Sequence, residues 1–555
     1  MWLVRRTTNV ARRHISSTVI LSGHQIEHQI EHQTEPICEA QCVSRGIEGV
    51  KAVDLILPNQ QIEVSKDIKN LNDNIMNNVI KRALMCAAAV MTMAATSCGV
   101  DAPEPMSVVP AERQLKWHQM EQYAFVHFTI NTFTDREWGY GDESPELFNP
   151  TDFDADALVK VVKDAGLKGL ILTAKHHDGF CLWPSAYTEH SVKNSPYKDG
   201  KGDIVGEVAE ACRKAGVKFG IYLSPWDRNH AGYGTDEYLD YYRKQLRELL
   251  TNYGPVFEMW FDGANGGDGY YGGANEVRRV ESGYLYYDWP KVVEIIRELS
   301  PETVVWSSSL PDARWCSNER GVVAEHCWAM ATPEQMYPNG KDNKKVLAHG
   351  MEDGNRWAPA EADVSIRPGW FYHDYQQPKT PEKLFDIYLT SVGRGGTLLL
   401  NLAPDRRGRV PEQDIESLMA WRKMVDETFA NDLAASARIK ASSNRGFGFG
   451  AKNMLGVDDK YWATADGVVA GDVEIEWSEP IEMSYVVIQE HIALGQRVRK
   501  FSIEAEVDGQ WQEVASGTTV GYKRILPLNG VKSDKLRVRF IDSRGPLTIA
   551  RVAVY

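Results

Sequence analysis

Polar residues follow several apolar runs of the sequence at the points where those runs end. His127 lies in the first run, KHHDGF at 175–180 follows the second, Tyr222 lies in the third and Asp262 ends the fourth. A single histidine at a strand end is usually structural, and an Asp-Gly pair is usually a turn. Side chains at the carboxyl ends of parallel strands, however, meet at one face. Four such ends together predict a functional pocket.

Metal-dependent hydrolysis is one chemistry to consider, because His176, His177 and Asp178 are potential ligands. Adjacent residues of an extended chain point in opposite directions, so we do not expect both histidines at one ion. The sequence also has no HExxH motif to supply further ligands. No GxGxxG motif opens the first βα unit, which gives no support to a dinucleotide. We therefore predict neither a metal nor another cofactor.

Alternating apolar runs and helical segments extend from residue 112 to residue 432. Helices are predicted at 154–165 and 203–215, each followed by a glycine that stops it. Strands are predicted at 123–129, 169–174, 218–224, 256–262, 303–307 and 397–401, with weaker patterns at 322–327 and 369–372. Two segments, KDAGLKGLILTAKHHDGF and RKAGVKFGIYLSPWD, resemble each other as repeated βα units do. The pattern predicts a (β/α)8-like barrel, with a doubly wound open sheet as the alternative.

A different pattern begins at residue 433, where short runs alternate apolar and polar residues. These runs are 473–477, 484–490, 501–507, 510–515, 535–540 and 548–555. Asp508-Gly509 between two of them is a strong hairpin signal. Short alternating strands without helices predict a β-sandwich over 433–555. It resembles the discoidin-like sandwiches attached to many sugar-acting enzymes, and both glycan binding and bracing of the barrel remain open as its role.

Residues 76–98 have the three parts of a signal peptide, namely a basic start, an apolar run and small residues before Cys98. The ending ATSC resembles a bacterial lipoprotein cleavage box, in which Cys98 becomes the lipidated N-terminus. We interpret 1–75 as a disordered extension that is not part of the native protein, and 99–111 as a tether. These features predict an exported lipoprotein on the periplasmic side or outer surface of a Gram-negative bacterium, with Cys98 as its membrane anchor.

Composition narrows the range of partners. The formal net charge of −14 argues against a nucleic-acid binder, because phosphate contacts need clustered Lys and Arg. The 16 Trp and 23 Tyr suit carbohydrate binding, since aromatic faces stack on the C–H faces of sugars. The eight cysteines include no CxxC pair, and buried inert thiols are predicted at Cys181, Cys212, Cys316 and Cys327.

Several motifs in this order resemble glycoside hydrolase family 29, the retaining α-L-fucosidases. They are His127-Phe128, REWG at 136–139, KHHDGF at 175–180, IYLSPWD at 221–227, WFDG at 260–263, DARWCSNE at 312–319 and SIRPGWFYH at 365–373. The likeness extends over about 112–430. The block at 312–319 resembles the branch of the family that prefers α-1,3/1,4-linked fucose.

The resemblance implies a retaining double displacement, in which one carboxylate is the nucleophile and a second is the acid and then the base. Asp262 matches the family nucleophile, and Glu319 matches the acid/base of this branch. Glu361 is the second candidate for the acid, or alternatively holds Arg367 in an ion pair. Glu325 is the third candidate.

The resemblance also implies which residues contact a terminal fucose, a sugar with three hydroxyls and one methyl group. The expected contacts are His127, Glu137, Trp138, His176, His177, Tyr222, Trp260, Arg314 and Trp370. Trp260 and Trp370 are the expected apolar wall. Two other functions stay open at this point: a non-catalytic fucose-binding lectin, and a barrel glycosidase that acts on another sugar.

Overall fold

The computed structural model describes residues 100–555 except 263–268, 272–275, 279, 281–282, 308, 337–342 and 457. The predicted extension and signal peptide at 1–98 lie outside the described residues. Among the residues that are described, no helix has the length and apolar character needed to cross a membrane.

Eight short parallel strands form the central sheet of the region after residue 112. They are β1 (Gln122–Val126), β2 (Gly169–Lys175), β3 (Lys218–Leu223), β4 (Glu258–Trp260), β5 (Val304–Trp306), β6 (Arg314–Trp315), β7 (Ala360–Ser365) and β8 (Thr397–Leu402). Their order in space is β5-β4-β3-β2-β1-β8-β7-β6. A parallel bridge between Trp306 and Ala313 joins the two ends of this order, so the sheet is nearly closed. This confirms the (β/α)8-like barrel over the open sheet.

Helices connect most of these strands. The helices of this region are α1 (Glu112–His118), α2 (Ile130–Thr134), α3 (Ala155–Asp164), α4 (Ile204–Ala215), α5 (Asp236–Asn252), α6 (Gly283–Tyr286), α7 (Trp289–Leu299), α8 (Pro333–Met336), α9 (Asn343–His349), α10 (Pro381–Ser391) and α11 (Glu412–Thr428). Among the described residues, the link from β5 to β6 contains no helix. The region also has two small antiparallel strand pairs, Gly269–Tyr271 with Glu276–Arg278 and Met330–Ala331 with Arg356–Trp357.

The predicted helices at 154–165 and 203–215 match α3 and α4 because their ends are set by local chemistry. The side chain of Asp154 accepts a hydrogen bond from Ala157 N at the start of α3, and Asp203 accepts one from Gly206 N in α4. Gly216 ends α4 with φ +73°, a left-handed conformation that glycine adopts without strain.

Alternate residues of the barrel strands enter two separate cores. Tyr123 and Phe125 of β1 point into the barrel with Tyr222, Trp260 and other large side chains. The intervening alanine and valine of β1 pack outward against the helices. This period-two division is what a strand buried on both faces requires.

The predicted strands at 322–327 and 369–372 are wrong, because both segments are loops. The strands that complete the barrel are β6 and β7 instead. Residues Glu361, Asp363 and Ser365 of β7 are charged or polar yet point into the barrel, where they are buried. Since polar residues at alternate positions normally face water, the sequence of β7 does not look like a barrel strand.

The C-terminal part is an antiparallel sheet with its own apolar core, which confirms the all-β prediction. Its strands are β9 (Arg438–Ala441), β10 (Trp462–Ala463), β11 (Gly471–Glu490), β12 (Val498–Val507), β13 (Gln510–Gly517), β14 (Arg524–Ser543) and β15 (Thr548–Val554). The predicted runs at 473–477 and 484–490 belong to one long strand, β11, whose pairing with β14 shifts register between them. Such bulges bend a strand. Asp508 and Gly509, with φ 53° and 75°, form the predicted hairpin turn between β12 and β13.

Polar contacts fasten this sheet to the barrel. Gln496 accepts a hydrogen bond from Ala329 N at 2.7 Å and donates one to Cys327 O at 3.1 Å. Arg524 donates to Glu325 O at 3.0 Å, and Lys523 forms an ion pair with Glu121. These contacts attach the sheet to the barrel, and bracing of the barrel and glycan binding stay the two predicted roles of the sheet.

Candidate active site

A cavity of about 690 Å³ opens at the carboxyl ends of the barrel strands. Its volume lies within the usual range of small-molecule sites. Of the predicted site residues, those that line it are His127, Glu137, Trp138, His176, His177, Trp260, Asp262, Glu319 and Trp370. The cavity is lined further by Phe125, Trp306, Ser307, Trp315, Met336, Asn343, Leu347, Asp363, Pro368 and Gly369. The two predicted carboxyl groups thus share one cavity.

Asp262 follows β4 and lies at the base of the cavity with its side chain 23% exposed. The hydroxyl of Tyr222 donates a hydrogen bond to Asp262 Oδ2 at 3.0 Å. His177 Nε2 lies 3.7 Å from the same oxygen. Tyr222 itself is fully buried behind the cavity wall, so it reaches the site through this hydrogen bond.

The hydrogen bonds of His177 fix which of its ring nitrogens can accept. Ser224 Oγ donates to Trp226 O at 2.7 Å and lies 2.8 Å from His177 Nδ1. Since the serine proton is already used, Nδ1–H donates to Ser224 and Nε2 is left with a lone pair facing the cavity. Burial, and then the neighbouring His127 and Arg228, lower the pKa of His177 to about 3. The ring is therefore a neutral acceptor for a hydroxyl.

A buried amide orients His127 in a similar way. Asn401 Nδ2 donates to Ser365 Oγ and to Trp370 O, which leaves Asn401 Oδ1 facing His127 Nδ1 at 2.8 Å. Burial lowers the pKa of His127 to about 3, although the bond to Asn401 opposes the shift. Asn401 was missed at the level of sequence, although a polar residue inside the buried run TLLLNL was the available signal.

Glu137 connects two of the loops that surround the cavity. Its carboxylate accepts hydrogen bonds from Trp370 N at 2.9 Å and from His373 Nε2 at 2.8 Å. His373 also bonds Asp135 through Nδ1 at 2.6 Å. Burial alone would lower the pKa of His373, but these two carboxylates raise it. Trp138, more than half exposed, lies at the rim with its ring edge-on to His177.

Glu319 lies in the exposed loop after β6, where Trp370 Nε1 approaches its Oε2 at 3.4 Å. A further carboxyl, Asp363 of β7, is buried in the same cavity and accepts a hydrogen bond from Trp315 Nε1 at 3.0 Å. Burial, together with the charge of Glu319, raises the pKa of Asp363 well above its usual value. Asp363 was missed because the sequence of its strand looks like surface.

The two alternative acids do not line the cavity. Glu361 is buried in the barrel interior, and Glu325 pairs on the surface with Arg394 at 3.1 Å. The expected pairing of Glu361 with Arg367 is wrong, because Arg367 pairs with Asp414 at 2.7 Å. Glu319 is thus the one of the three candidates that faces the cavity.

Arg314, predicted to contact the sugar, is also absent from the cavity lining and is fully buried. Its guanidinium donates to the backbone oxygens of Leu347 and Ala358 and to Cys327 Sγ. The residue therefore fixes the segment between β6 and β7 instead of reaching a ligand. Cys327 and the other three described cysteines are buried free thiols, as predicted.

The expectation that His176 and His177 diverge is wrong, since their ring centroids are 4.0 Å apart. Strand β2 ends at Lys175, so both histidines lie in the turn beyond it, where strand alternation no longer applies. With Asp262 they place three potential ligand atoms within 4.8 Å of one another. Two ligands that are each about 2.0–2.1 Å from one zinc ion lie about 3.4 Å apart in tetrahedral geometry, so the 3.7 Å between His177 Nε2 and Asp262 Oδ2 is near the spacing that an ion requires.

The model of the family described as alpha-L-fucosidase matches residues 104–426. The chain belongs to this family. It is 41% identical over 461 residues to Alpha-L-fucosidase 1 of Arabidopsis thaliana, which covers 82% of this chain and 88% of the relative. The fucosidase fold extends through the barrel and into the C-terminal sheet.

Solved structures agree with this family. A glycoside hydrolase 29 family member from an unknown rumen bacterium is 44% identical, with a TM-score of 0.73, over 81% of this chain and 78% of its own. A Ruminococcus gnavus GH29 fucosidase in complex with fucose is 33% identical, with a TM-score of 0.75, over 83% and 97%. The glycoside hydrolase family 29 resemblance seen in the motifs is thereby confirmed.

Proposed function

We propose that this protein is an exo-acting retaining α-L-fucosidase that releases terminal α-linked fucose by double displacement. Asp262 attacks the anomeric carbon to form a covalent fucosyl-enzyme, which water then hydrolyses. The observation that carries the proposal is the shared cavity: Asp262, with the Tyr222 hydroxyl against it, opens onto the same space as Glu319. The two acids come from separate loops, and they open onto one space because both must act on the same glycosidic bond.

Glu319 is the proposed acid/base. It protonates the leaving oxygen in the first step and takes a proton from water in the second. Its exposed position at the mouth of the cavity supports this role, because the leaving sugar departs toward solvent. The 312–319 motif supports α-1,3/1,4-linked fucose as the preferred substrate.

The neutral histidines supply the recognition of fucose hydroxyls. A pocket of this kind rejects sugars that lack one hydroxyl, because a buried partner is then left without a hydrogen bond. Phe125, Trp260 and Trp370 line the cavity beside the histidines and provide apolar contact for the methyl group.

The nucleophile is tested with Asp262→Ala and an aryl α-L-fucoside. We expect the wild-type protein to turn the substrate over and the variant to lose at least about a thousand-fold in kcat, as other nucleophile deletions do. Substantial activity of the variant would contradict the assignment. A wild-type protein that binds fucose without turnover would be a lectin.

Stereochemistry and specificity need two further experiments. Proton NMR of the first-formed sugar is expected to show α-fucose, and initial β-fucose would exclude double displacement. A panel of aryl glycosides separates fucosidase from other glycosidase activity. Digestion of α-1,2-, α-1,3/4- and α-1,6-fucosylated oligosaccharides, read by mass spectrometry, determines the linkage.

We also propose export and lipid anchoring through Cys98, on the sequence pattern of 76–98 alone. Expression of the chain from Met76, where the signal peptide is predicted to begin, in a Gram-negative host with a radiolabelled fatty acid is expected to label the protein. Cys98→Ala should abolish the label and release the protein from the membrane fraction. Label that persists in the variant would exclude this anchor.

A further inference from the structure

Two carboxyl groups are enclosed in the barrel interior, Glu258 of β4 at 0% exposure and Glu361 of β7 at 1%. In the described part of the chain, neither forms an ion pair with a cation. Their partners are neutral donors. Trp117 Nε1 donates to Glu258 at 3.0 Å, Trp260 Nε1 donates to Glu361 Oε1 at 2.7 Å, and the Tyr123 hydroxyl donates to Glu361 Oε2.

This pair carries a proton. Among the described residues, Glu258 Oε1 has no hydrogen-bond donor, which is costly for a buried ionised carboxylate, whereas a protonated Glu258 has the neighbouring carboxylate of Glu361 as an acceptor for its O–H. Two neighbouring buried carboxylates also do not both ionise. Burial, and then the charge of Glu361, raise the pKa of Glu258 well above its usual value. Burial raises the pKa of Glu361 as well, but Glu361 accepts two hydrogen bonds from neutral donors and Glu258 accepts one, so we assign the proton to Glu258 and the charge to Glu361.

Trp260 connects this pair to the active site. Its ring is the middle one of three stacked rings, with Trp306 at 3.7 Å and 9° on one face and Tyr222 at 5.4 Å and 19° on the other. Stacking by itself leaves rings able to slide and turn in their plane. The charge-assisted hydrogen bond from Trp260 Nε1 to Glu361 prevents the Trp260 ring from sliding or turning in its plane. The Tyr222 ring, held against Trp260, then presents its hydroxyl to Asp262.

We propose that Glu361 is a positioning residue for the glycosidase reaction. It orients Trp260, and through the stacked rings it sets the Tyr222 hydroxyl against the Asp262 carboxylate. The proposal rests on the proposed function, because it takes Asp262 as the nucleophile. It gives Glu361 a part in the reaction without contact with the sugar, in place of the acid role considered from its sequence.

A matched pair of variants separates this role from simple support of the fold. Trp260→Phe and Trp117→Phe each remove one indole hydrogen bond to the same carboxyl pair. Of these two tryptophans, Trp260 is the one that stacks on Tyr222. We expect Trp260→Phe to lower kcat roughly ten- to a hundred-fold, the equivalent of one hydrogen bond to a charged group. Because Trp260 also lines the sugar cavity, the inhibition constant of fucose should rise as well, but by a smaller factor than kcat falls. A loss confined to the inhibition constant would overturn the proposal. Trp117→Phe should leave kcat within about three-fold while lowering the melting temperature.

Substitutions of Glu361 test the chain of contacts itself. Glu361→Gln keeps an oxygen acceptor for Trp260 Nε1 and should retain activity within about three-fold. Glu361→Leu should lose as much kcat as Trp260→Phe, and the double variant should lose no more than either single one. Losses that multiply in the double variant would overturn the proposal. If Glu361→Leu does not fold, an equal loss of kcat in Trp117→Phe and Trp260→Phe would overturn it instead.

These outcomes differ from a failure of the proposed function. An inactive wild-type protein, or an active Asp262→Ala variant, would refute the fucosidase mechanism first. An active wild-type enzyme with an inactive Asp262→Ala variant and multiplying losses at Glu361 and Trp260 would refute the positioning role alone.

Discussion

One phenol hydroxyl holds the carboxylate proposed as nucleophile, and this contact can be removed without disturbing the ring. Tyr222→Phe keeps the stack on Trp260 and deletes the donor 3.0 Å from Asp262 Oδ2. We expect kcat/KM to fall about ten- to a hundred-fold, because a hydrogen bond to a charged group is lost. Steady-state kinetics on an aryl α-L-fucoside measure the change.

Tyr238→Phe is the matched control, since Tyr238 is equally buried but donates to Pro225 O at 2.7 Å outside the cavity. It should reduce the free energy of unfolding and leave kcat/KM nearly unchanged. If the two variants lost activity to the same extent, the bond between Tyr222 and Asp262 would have no specific role.

The buried histidines make the free energy of unfolding depend on pH. Burial lowers the pKa of His127, His177 and also His118 to about 3, whereas an unfolded histidine titrates near about 6.5. Between those values the unfolded chain binds protons that the folded chain does not. The stabilisation is complete above about pH 6.5 and is lost as the pH falls, by about 1.4 kcal/mol per pH unit for each histidine. The buried acids Asp363 and Glu258 have raised pKa values and change the stability in the opposite direction, so the histidine contribution is measured as the difference between the wild-type protein and a histidine variant in urea unfolding from pH 7 to pH 5.

His118→Gln isolates one proton of this effect, because His118 lies outside the cavity and its substitution leaves the sugar-binding histidines in place. As the pH falls below about 6.5, the free energy of unfolding of the variant should rise relative to that of the wild-type protein by about 1.4 kcal/mol per pH unit. An identical pH dependence of the two proteins would be inconsistent with a neutral buried ring at His118.

At the scale of the elements, a buried ion pair holds the ends of two strands that carry the site. Lys175 at the end of β2 and Asp227 in the loop after β3 are 2.9 Å apart, with side chains 0% and 1% exposed. Asp227→Asn leaves the lysine charge buried without its partner. We expect a loss of about 3–5 kcal/mol in the free energy of unfolding, measured in urea.

The exposed pair of Lys160 and Asp164 in α3 serves as the control for this prediction. Asp164→Asn should cost less than about 1 kcal/mol, as for other surface pairs. Similar costs for the two substitutions would show that burial of the Lys175 charge does not govern stability here.

The sequence predicted those elements whose ends and faces follow simple rules, such as α3 and α4 with their aspartate caps and glycine stops. The sequence did not predict β7. Its residues Glu361 and Asp363 point inward because indole N–H groups from strands far away in the sequence donate hydrogen bonds to them. No local pattern reveals such partners. The placement of Arg314 in the sugar cavity could not be checked from the sequence for the same reason, since the backbone oxygens that accept its hydrogen bonds lie 33 and 44 residues away.

More of the site than of the fold was predicted, because the order of the motifs identified individual site residues, which the periodicity of the sequence does not. Asp262 and Glu319 were placed from resemblance, and the structure brings them to one cavity. Asn401 orients the ring of His127, and Tyr222 orients the carboxylate of Asp262. Only coordinates show which nitrogen or oxygen each of them fixes.

At the scale of the whole molecule, the C-terminal sheet stabilises the barrel through a few buried polar contacts. Gln496→Ala would leave Cys327 O and Ala329 N without their partner. We expect a loss of about 2–4 kcal/mol in the free energy of unfolding, since each unsatisfied buried group costs about 1–3 kcal/mol. Urea unfolding of the full chain provides the measurement, and kcat at low temperature should stay near the wild-type value.

Glu352→Ala is the control at the same interface, because the Glu352–Arg499 pair is partly exposed. It should cost less than about 1 kcal/mol. A Gln496→Ala variant as stable as the wild-type protein would show that the sheet is attached without bracing.

The segment between β6 and β7 contacts both parts of the molecule. Cys327 and Ala329 bind the sheet, and Met336, Asn343 and Leu347 line the cavity. A chimera in which this segment comes from a relative with another linkage preference would receive new cavity-lining residues. It would also receive new residues at the contact with the C-terminal sheet. We therefore expect a transfer of linkage preference to succeed only when the donor's segment and the donor's C-terminal sheet are exchanged together.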